Sequence, residues 1–265
     1  MKILGQPVSP MYLWTIALLS ILVAVSSYTL RAFPYSLIFA VMVAGLIEIA
    51  LRKYYLKSAF KFPFSGAITG LIIGSVAPIN ASPLLILIAA AIAIASKFFL
   101  KFKGSNILNP ASIGLLLALA IFGLGDEWWA SSSYSVYGVA IPITLILVVV
   151  AYEARRLPAA ISFVTAFSIL SLAIAGHGAV SLAAASAVLL GANYYFAFVM
   201  LVEPKTSPHG MRAQIAYGSA VSVLYMGLSM ARVPYNLLLA LLIGNIIYLL
   251  YRWHSSRRIS RPATT

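Results

Sequence analysis

Long apolar stretches without charge dominate this chain and decide what it can fold into. Hydrophobic residues make up 62% of the 265 positions, and charged residues only 9%. The apolar runs are roughly 16–20 residues long, which is the length that a helix needs to cross the hydrocarbon core of a bilayer. The sequence therefore predicts an all-α polytopic membrane protein.

Pro, Gly and charged residues divide the apolar sequence into about ten predicted spans, which we place in one membrane domain, residues 1–265. The first run lacks a small-residue cleavage site and leads into further spans. It is therefore predicted to be a retained helix and not a signal peptide. The predicted spans are residues 11–30, 33–51, 64–79, 82–99, 110–124, 137–152, 158–175, 179–202, 213–230 and 234–252.

The basic residues predict how the spans are oriented. With the amino terminus inside, sixteen of the eighteen Lys and Arg residues fall in inner segments, and only Arg31 and Arg232 fall outside. Inner loops carry such an excess, so both termini are predicted to be cytoplasmic, with a basic tail at 253–265, in the inner (plasma) membrane of a prokaryote. The net charge of +13 is then explained by anchors that face anionic lipid. Nucleic-acid binding is not predicted, because it needs charges collected on one folded face.

Residue types that hold metals or haem are scarce. The chain has no cysteine, which excludes disulfides, thiolate metal sites and iron–sulfur ligation. The three histidines, His177, His209 and His254, lie in turns or in the tail, whereas bis-histidine haem ligation needs two histidines on facing helices. We therefore predict no metal site, and no catalytic residue within this chain.

The two halves of the sequence share features that predict an inverted repeat. Proline-rich segments end the third and eighth predicted spans, and similar Leu-Ala runs follow Pro110 and Pro234. Both correspondences are offset by five spans, and an odd offset inverts the second half, as in many transport folds. The predicted repeats cover about 11–124 and 137–252. Chance recurrence of Pro-flanked Leu-Ala runs is the alternative explanation.

Two short polar segments interrupt the apolar sequence and are the predicted place for a ligand. The first polar segment is 105–110 (SNILNP), and the second polar segment is 203–208 (EPKTSP). Hydrocarbon does not solvate an unpaired amide, hydroxyl or carboxylate. Such sequence therefore persists at membrane depth only where protein or a cavity surrounds it.

Both polar segments carry a resemblance to a known family. Several pieces, in matching order and approximate spacing over residues 62–250, resemble motifs of the RnfD/NqrB family, the integral subunits of Rnf complexes and of sodium-pumping quinone reductases. The pieces are 64–71 (FSGAITGL), Ala77-Pro78, Lys97, 106–111 (NILNPA), the second polar segment, Gln214 and Tyr217-Gly218.

The resemblance implies a fold related to the urea and ammonium channels, and an inner-side region that helps to hold a flavin, riboflavin or FMN. Amide side chains match the alternating carbonyl and N–H groups along the pyrimidine edge of an isoalloxazine ring. The residues expected to bind this cofactor are Ser65, Thr69, Lys97, Asn106, Asn109, Glu203, Thr206 and Ser207.

Three of these residues have a second interpretation. Asn109 precedes Pro110 and is predicted to be the N-cap of the fifth span. Lys97 is predicted to extend toward the inner surface by snorkelling, although it matches the family's lysine. Glu203 either forms a surface ion pair, lines an ion path or bonds a flavin ribityl hydroxyl.

Smaller patterns predict how the helices pack. Gly66, Gly70 and Gly74 recur every four residues in the third span, which is typical of closely packed membrane helices. Glu48 is followed four residues later by Arg52, and this spacing predicts an ion pair along one helix.

One feature of the resembled family is missing. Members with covalent flavin attach FMN to a threonine of an S-G-A-T motif in the outer loop between the fifth and sixth spans. Here that loop, 126–135 (DEWWASSSYS), contains no threonine, so we expect the flavin to be bound without a covalent bond. Trp128, Trp129 and Tyr134 in this loop are predicted to be interfacial aromatics, with stacking on a flavin as the second interpretation.

The leading functional prediction is a membrane subunit of a redox complex that couples electron transfer to cation movement. The chain has no nicotinamide or iron–sulfur motif, so other subunits are expected to carry out substrate oxidation. The alternative is a channel or transporter for a small solute or a flavin, which the missing S-G-A-T motif favours. A third alternative is a structural anchor without cofactor.

The orientation can be tested with single cysteines, because the natural chain has none. Ser132→Cys and Ser256→Cys are expected to react with an impermeant thiol reagent from opposite sides of the membrane. Labelling of both positions from the same side would contradict the even number of spans.

Overall fold

The computed structural model describes residues 2–3, 6–7, 9–135, 140–175 and 192–259, and it is almost entirely helical. The helices are α1 Pro10–Leu30, α2 Tyr35–Tyr54, α3 Phe64–Val76, α4 Pro83–Phe99, α5 Pro110–Phe122, α6 Ala140–Glu153, α7 Leu157–Ala175, α8 Ala192–Tyr195, α9 Met211–Met230 and α10 Asn236–Ile259. A 3₁₀ helix covers Trp129–Ser135 and a π-helix covers Phe196–Met200. Two small hairpins pair β1 Lys2–Ile3 with β2 Gln6–Pro7 and β3 Lys101–Phe102 with β4 Ser105–Asn106.

The helices confirm the prediction of membrane-spanning sequence at the level of length and composition. Within the described part of the chain, four helices are long and apolar enough to cross a bilayer, at Pro10–Leu30, Tyr35–Tyr54, Leu157–Ile174 and Asn236–Ser256. Four others are apolar but shorter, and α3 and α5 have only 13 residues each. Thirteen residues extend about 20 Å, which is less than the roughly 30 Å of hydrocarbon. Neither of these two helices is long enough to cross the hydrocarbon by itself.

Prolines set the length of α3. The helix begins directly after Pro63, and it ends at Val76 because Pro78 forces the preceding residue, Ala77, into an extended conformation (φ −63°, ψ 159°). The last carbonyl groups of α3 are left without helical partners inside the protein, where an unpaired carbonyl is costly.

The segment after α5 supplies those partners, and we call residues 126–130 the plug. The backbone N–H groups of Glu127 and Trp128 donate to the carbonyl of Val76 at 2.9 and 3.3 Å. The indole N–H of Trp129 donates to the carbonyl of Gly74 at 2.7 Å. The plug therefore completes the carboxyl-terminal end of α3.

The plug also corrects the prediction of interfacial tryptophans. Trp128 and Trp129 are only 7% and 5% exposed, and the Trp128 ring meets Tyr195 edge to face with 6.0 Å between ring centroids. Both indoles lie inside the protein because the short α3 leaves a space that they fill. The Tyr134 side chain lies outside the described residues.

Glycines bring α3 close to α2, as the sequence predicts. A Cβ atom on Gly66 would lie 2.9 Å from the carbonyl oxygen of Ala44, and one on Gly70 would lie 2.6 Å from that of Ala40. The predicted ion pair of α2 is also present, with 2.5 Å between Arg52 Nη2 and Glu48 Oε1.

The eighth predicted span is only partly described. Residues 176–191, with His177, lie outside the described part, and α8 passes directly into the π-helix Phe196–Met200. A π-helix is a rare element that is often found at functional sites. Here it ends the span at Met200 and leads straight into the second polar segment.

Two glycines of α9 give a matched stability test. A Cβ on Gly218 would collide with the carbonyl oxygen of Ala159 and the hydroxyl of Ser162 on α7, whereas nothing lies within 4 Å of one on Gly227. We expect Gly218→Ala to lower the free energy of unfolding by about 1–3 kcal/mol through overpacking. Gly227→Ala should be neutral or gain up to about 1 kcal/mol. Thermal unfolding in detergent measures both, and equal effects would contradict the α7–α9 contact.

Candidate functional site

The two polar segments, nearly one hundred residues apart, meet around one carboxylate. Asn109 Nδ2 donates to Glu203 Oε2 at 2.9 Å and to the carbonyl of Met200 at 3.1 Å. Asn106 Nδ2 donates to the other carboxylate oxygen, Oε1, at 3.3 Å. Each oxygen of Glu203 therefore has an amide donor, which stabilises its charge without an ion pair.

The structure confirms Asn109 as an N-cap. Its Oδ1 accepts from the backbone N–H of Ser112 at 2.9 Å, so the side chain is the N-cap of α5. Its amide N–H₂ group at the same time faces Glu203. The residue is 2% exposed, so helix capping and recognition of the carboxylate are fixed by one buried side chain.

The β3–β4 hairpin places the other asparagine. Lys101 pairs with Asn106 and Phe102 with Ser105, and Gly104 takes the left-handed conformation (φ 78°) that the tight turn requires. The hairpin turns Asn106 inward, where it is 4% exposed.

A buried amide that the sequence analysis left out joins both segments. Asn245 Oδ1 accepts from the backbone N–H of Asn109 at 2.8 Å. Asn245 Nδ2 donates to the hydroxyl of Tyr217 at 2.7 Å and to the carbonyl of Thr206 at 3.5 Å. The signal was available, because Asn245 is an isolated amide within the apolar run of the last span, and such residues lean toward function in membrane helices.

The ammonium of Lys97 bonds to α3 within the protein, which corrects the prediction that it extends to the inner surface by snorkelling. Its ammonium donates to the carbonyl and hydroxyl oxygens of Ser65 at 2.8 and 2.9 Å, and also to the hydroxyl of Thr69. All three acceptors are neutral. Among the described residues the one ion pair within 4.0 Å is Glu48–Arg52, so the positive charge of Lys97 has no carboxylate in contact.

Lys97, Asn109 and Glu203 line one cavity of about 130 Å³, at the end of the bundle that carries the basic loops. It brings together five of the eight predicted site residues: Ser65, Thr69, Lys97, Asn109 and Glu203. The first turns of α1 and the end of α6 close it, through Tyr12, Thr15, Val150 and Ala154. The cavity is thus lined by two lysines, Lys97 and Lys205, and by one carboxylate, Glu203. Neutral groups hydrogen-bond to Lys97 and to Glu203.

The size of the cavity limits what it can hold as it stands. A cavity of about 150 Å³ accommodates a single benzene ring, and pockets for drug-sized ligands are several times larger. The donors and acceptors suit the polar edge of one ring of a flavin. The whole tricyclic ring needs more room than this cavity offers.

Thr206 and Ser207 hold the second polar segment together. The hydroxyl of Ser207 donates to the carbonyl of Glu203 at 2.7 Å and accepts from Arg156 Nε at 2.8 Å. Thr206 Oγ1 makes a long contact of 3.4 Å to the same carbonyl. Their hydroxyl groups therefore fix the backbone that carries Glu203.

Arg156 anchors this turn from the loop between α6 and α7. It is 2% exposed, and Nη2 donates to the carbonyl of Pro204 at 3.2 Å and lies 2.9 Å from Nδ1 of His209. Burial, together with the Arg156 guanidinium, holds the pKa of His209 below its usual range. A neutral His209 can accept a hydrogen bond from the guanidinium.

In comparisons with models of known protein families and with curated proteins, no match to the chain is found. The resemblance to RnfD/NqrB proteins therefore stays a prediction.

Substitution of Asn245 tests the network that joins the segments. Asn245→Leu leaves the backbone N–H of Asn109 and the hydroxyl of Tyr217 without a partner, each at a cost of about 1–3 kcal/mol. Tyr217→Phe removes only one hydroxyl and should cost about 1 kcal/mol. Thermal unfolding in detergent is expected to show a larger loss of stability for Asn245→Leu than for Tyr217→Phe. A smaller loss for Asn245→Leu than for Tyr217→Phe would contradict the central role of Asn245.

Proposed function

We propose that this chain is a membrane subunit of a prokaryotic redox complex of the RnfD/NqrB type, which couples electron transfer to cation movement. The observation that carries the proposal is the convergence of both polar segments on one buried cavity. The residues that support the resemblance, Lys97 and Asn109 in the first half and Glu203 in the second, all face it. Partner subunits supply the oxidation of substrate.

The proposed architecture is ten spans in two inverted five-helix repeats, with both termini cytoplasmic. Helix packing supports this arrangement, because α1 contacts α6 and α5 contacts α10. Each pair consists of helices that are equivalent under an offset of five spans. Contacts between equivalent helices are expected around a two-fold axis in the membrane plane.

The proposed cofactor is a flavin held without a covalent bond, which would supply one- and two-electron transfer at the cavity. Lys97 would place its ammonium against a flavin carbonyl, and Ser65 and Thr69 would fix the lysine in that position. Glu203 and one of its amide donors, Asn109, would form the opposite wall. The plug offers no threonine for a phosphoester, and its tryptophans are occupied by packing against protein.

A second candidate is a transporter for a small polar solute. The cavity of about 130 Å³ favours it, because such a solute fits without any opening of the bundle. The plug opposes it, since Trp128 and Trp129 fill the protein interior toward the other membrane face. A transported solute would have to displace contacts that complete α3.

Flavin retention decides between the candidates. Protein purified gently with its partners is expected to show the visible absorbance of an oxidised flavin. Denaturation should release all of it and leave no fluorescent band on a denaturing gel. Lys97→Met should lower flavin occupancy about tenfold, because it removes a charge-assisted hydrogen bond. Lys101→Met, a matched lysine on the exposed hairpin, should leave occupancy unchanged.

Each outcome has a distinct meaning. Absence of flavin from the wild-type complex would refute the redox proposal and favour the transporter. A fluorescent band on the gel would show a covalent bond to another residue. Equal loss in Lys97→Met and Lys101→Met would place the flavin outside the cavity.

A further inference from the structure

The membrane face opposite the basic loops carries a separate groove that the proposed function does not use. Helices α1 and α2 each pack on α3, and a furrow of about 460 Å³ remains between them. Its walls are mainly apolar, and Leu71 of α3 contributes to its lining. We call it the α1–α2 furrow.

The furrow has the length of one lipid leaflet. It runs along α1 from Ser20 through Ala24 and Ser27 to Arg31. Eleven helical steps extend about 16 Å, and half of the hydrocarbon thickness is about 15 Å. A single extended acyl chain therefore matches the furrow from the membrane surface to the midplane.

A positive charge lies at the mouth of the furrow. Arg31 caps α1 in a left-handed conformation (φ 51°), and its exposed side chain lines the furrow. No carboxylate of the described residues lies within 4.0 Å of it. Arg31 is also one of only two basic residues predicted on this membrane face.

A hydroxyl without a partner lies next to this charge. Thr15 and Thr29 of α1 donate their hydroxyls to the carbonyls four residues earlier, at 2.8 and 2.9 Å. The hydroxyl oxygen of Ser27 is buried and has no such bond. A free hydroxyl at membrane depth is unfavourable unless a ligand supplies an acceptor.

Exposed aromatic rings border the mouth. Tyr28 is 86% exposed, Phe33 59% and Tyr35 74%. The ring centroids of Phe33 and Tyr35 are 4.6 Å apart. Aromatic side chains of this kind mark the level of lipid headgroups. The charge of Arg31 therefore lies at headgroup depth.

We propose that the α1–α2 furrow binds one anionic glycerophospholipid. An acyl chain lies along Ser20, Ala24 and Leu71, and the phosphate accepts hydrogen bonds from Arg31 and Ser27. The acyl chain of a lipid covers the apolar wall, and its phosphate gives the free hydroxyl an acceptor and the arginine an anion. A second protein helix would fill the furrow and leave Arg31 without an anion.

Native mass spectrometry of the delipidated full chain tests the site. Phosphatidylglycerol and phosphatidylcholine with identical acyl chains are titrated separately, and each variant is first shown to be monodisperse. Wild-type protein is expected to bind one phosphatidylglycerol molecule at least about tenfold more tightly than phosphatidylcholine, as for a charge-assisted contact. Arg31→Gln should weaken phosphatidylglycerol binding by about the same factor, and Ser27→Ala by about threefold.

Two matched controls separate the site from general surface charge. Arg232→Gln changes the other outward arginine, which has the same left-handed backbone (φ 55°), and should leave affinity unchanged. Ala24→Phe fills the furrow and should abolish tight binding, whereas Ile21→Phe, on α1 but not lining the furrow, should have no effect.

Several results would overturn the proposal. They are equal losses in Arg31→Gln and Arg232→Gln, no loss in Ala24→Phe, or equal affinity for the two lipids. Dimers that disappear on Ala24→Phe would instead assign the furrow to a second copy of the chain.

Discussion

The contact between Asn109 and Glu203 is the interaction on which the rest of the structure depends. Hydrocarbon offers no hydrogen bonds, so every polar group at this depth must find its partner within the protein. Asn109 lies at the start of a short helix, and Glu203 follows a π-helix. Their hydrogen bond gives a partner to a polar side chain at each of these two breaks in helical structure. The same constraint places the buried Asn245 against both polar segments.

Local features of the fold could be predicted from the sequence, because they depend on residues close together in the chain. The N-cap at Asn109, the Glu48–Arg52 pair and the glycine face of α3 follow from spacing alone. The five predicted site residues that line one cavity were chosen from the family resemblance. No local sequence pattern predicts that they lie together. The inverted repeat and the orientation remain predictions.

The errors have a common physical origin. Lys97 was expected to reach the membrane surface, and the tryptophans of the plug were expected at the interface. In both cases the residue type correctly indicates an amphipathic side chain. Where that side chain points depends on the space left by a distant element. The short α3 creates that space, with Ser65 and Thr69 offering acceptors to Lys97 at one end and two bare carbonyls offering acceptors to the plug at the other. The prolines that end α3 can be read from the sequence, but the distant residues that fill the resulting space cannot.

The plug also determines where the chain could be divided into two polypeptides. It follows α5 in sequence, yet it completes α3 by hydrogen bonds to Gly74 and Val76. A first fragment that ends at Phe122 would leave the carbonyl groups of Gly74 and Val76 without hydrogen-bond donors, and its partner fragment would begin with unsupported tryptophans. A first fragment that ends after Ser135 would keep the plug with the helices it completes. Complementation between separately expressed halves therefore requires the cut on the α6 side of this loop.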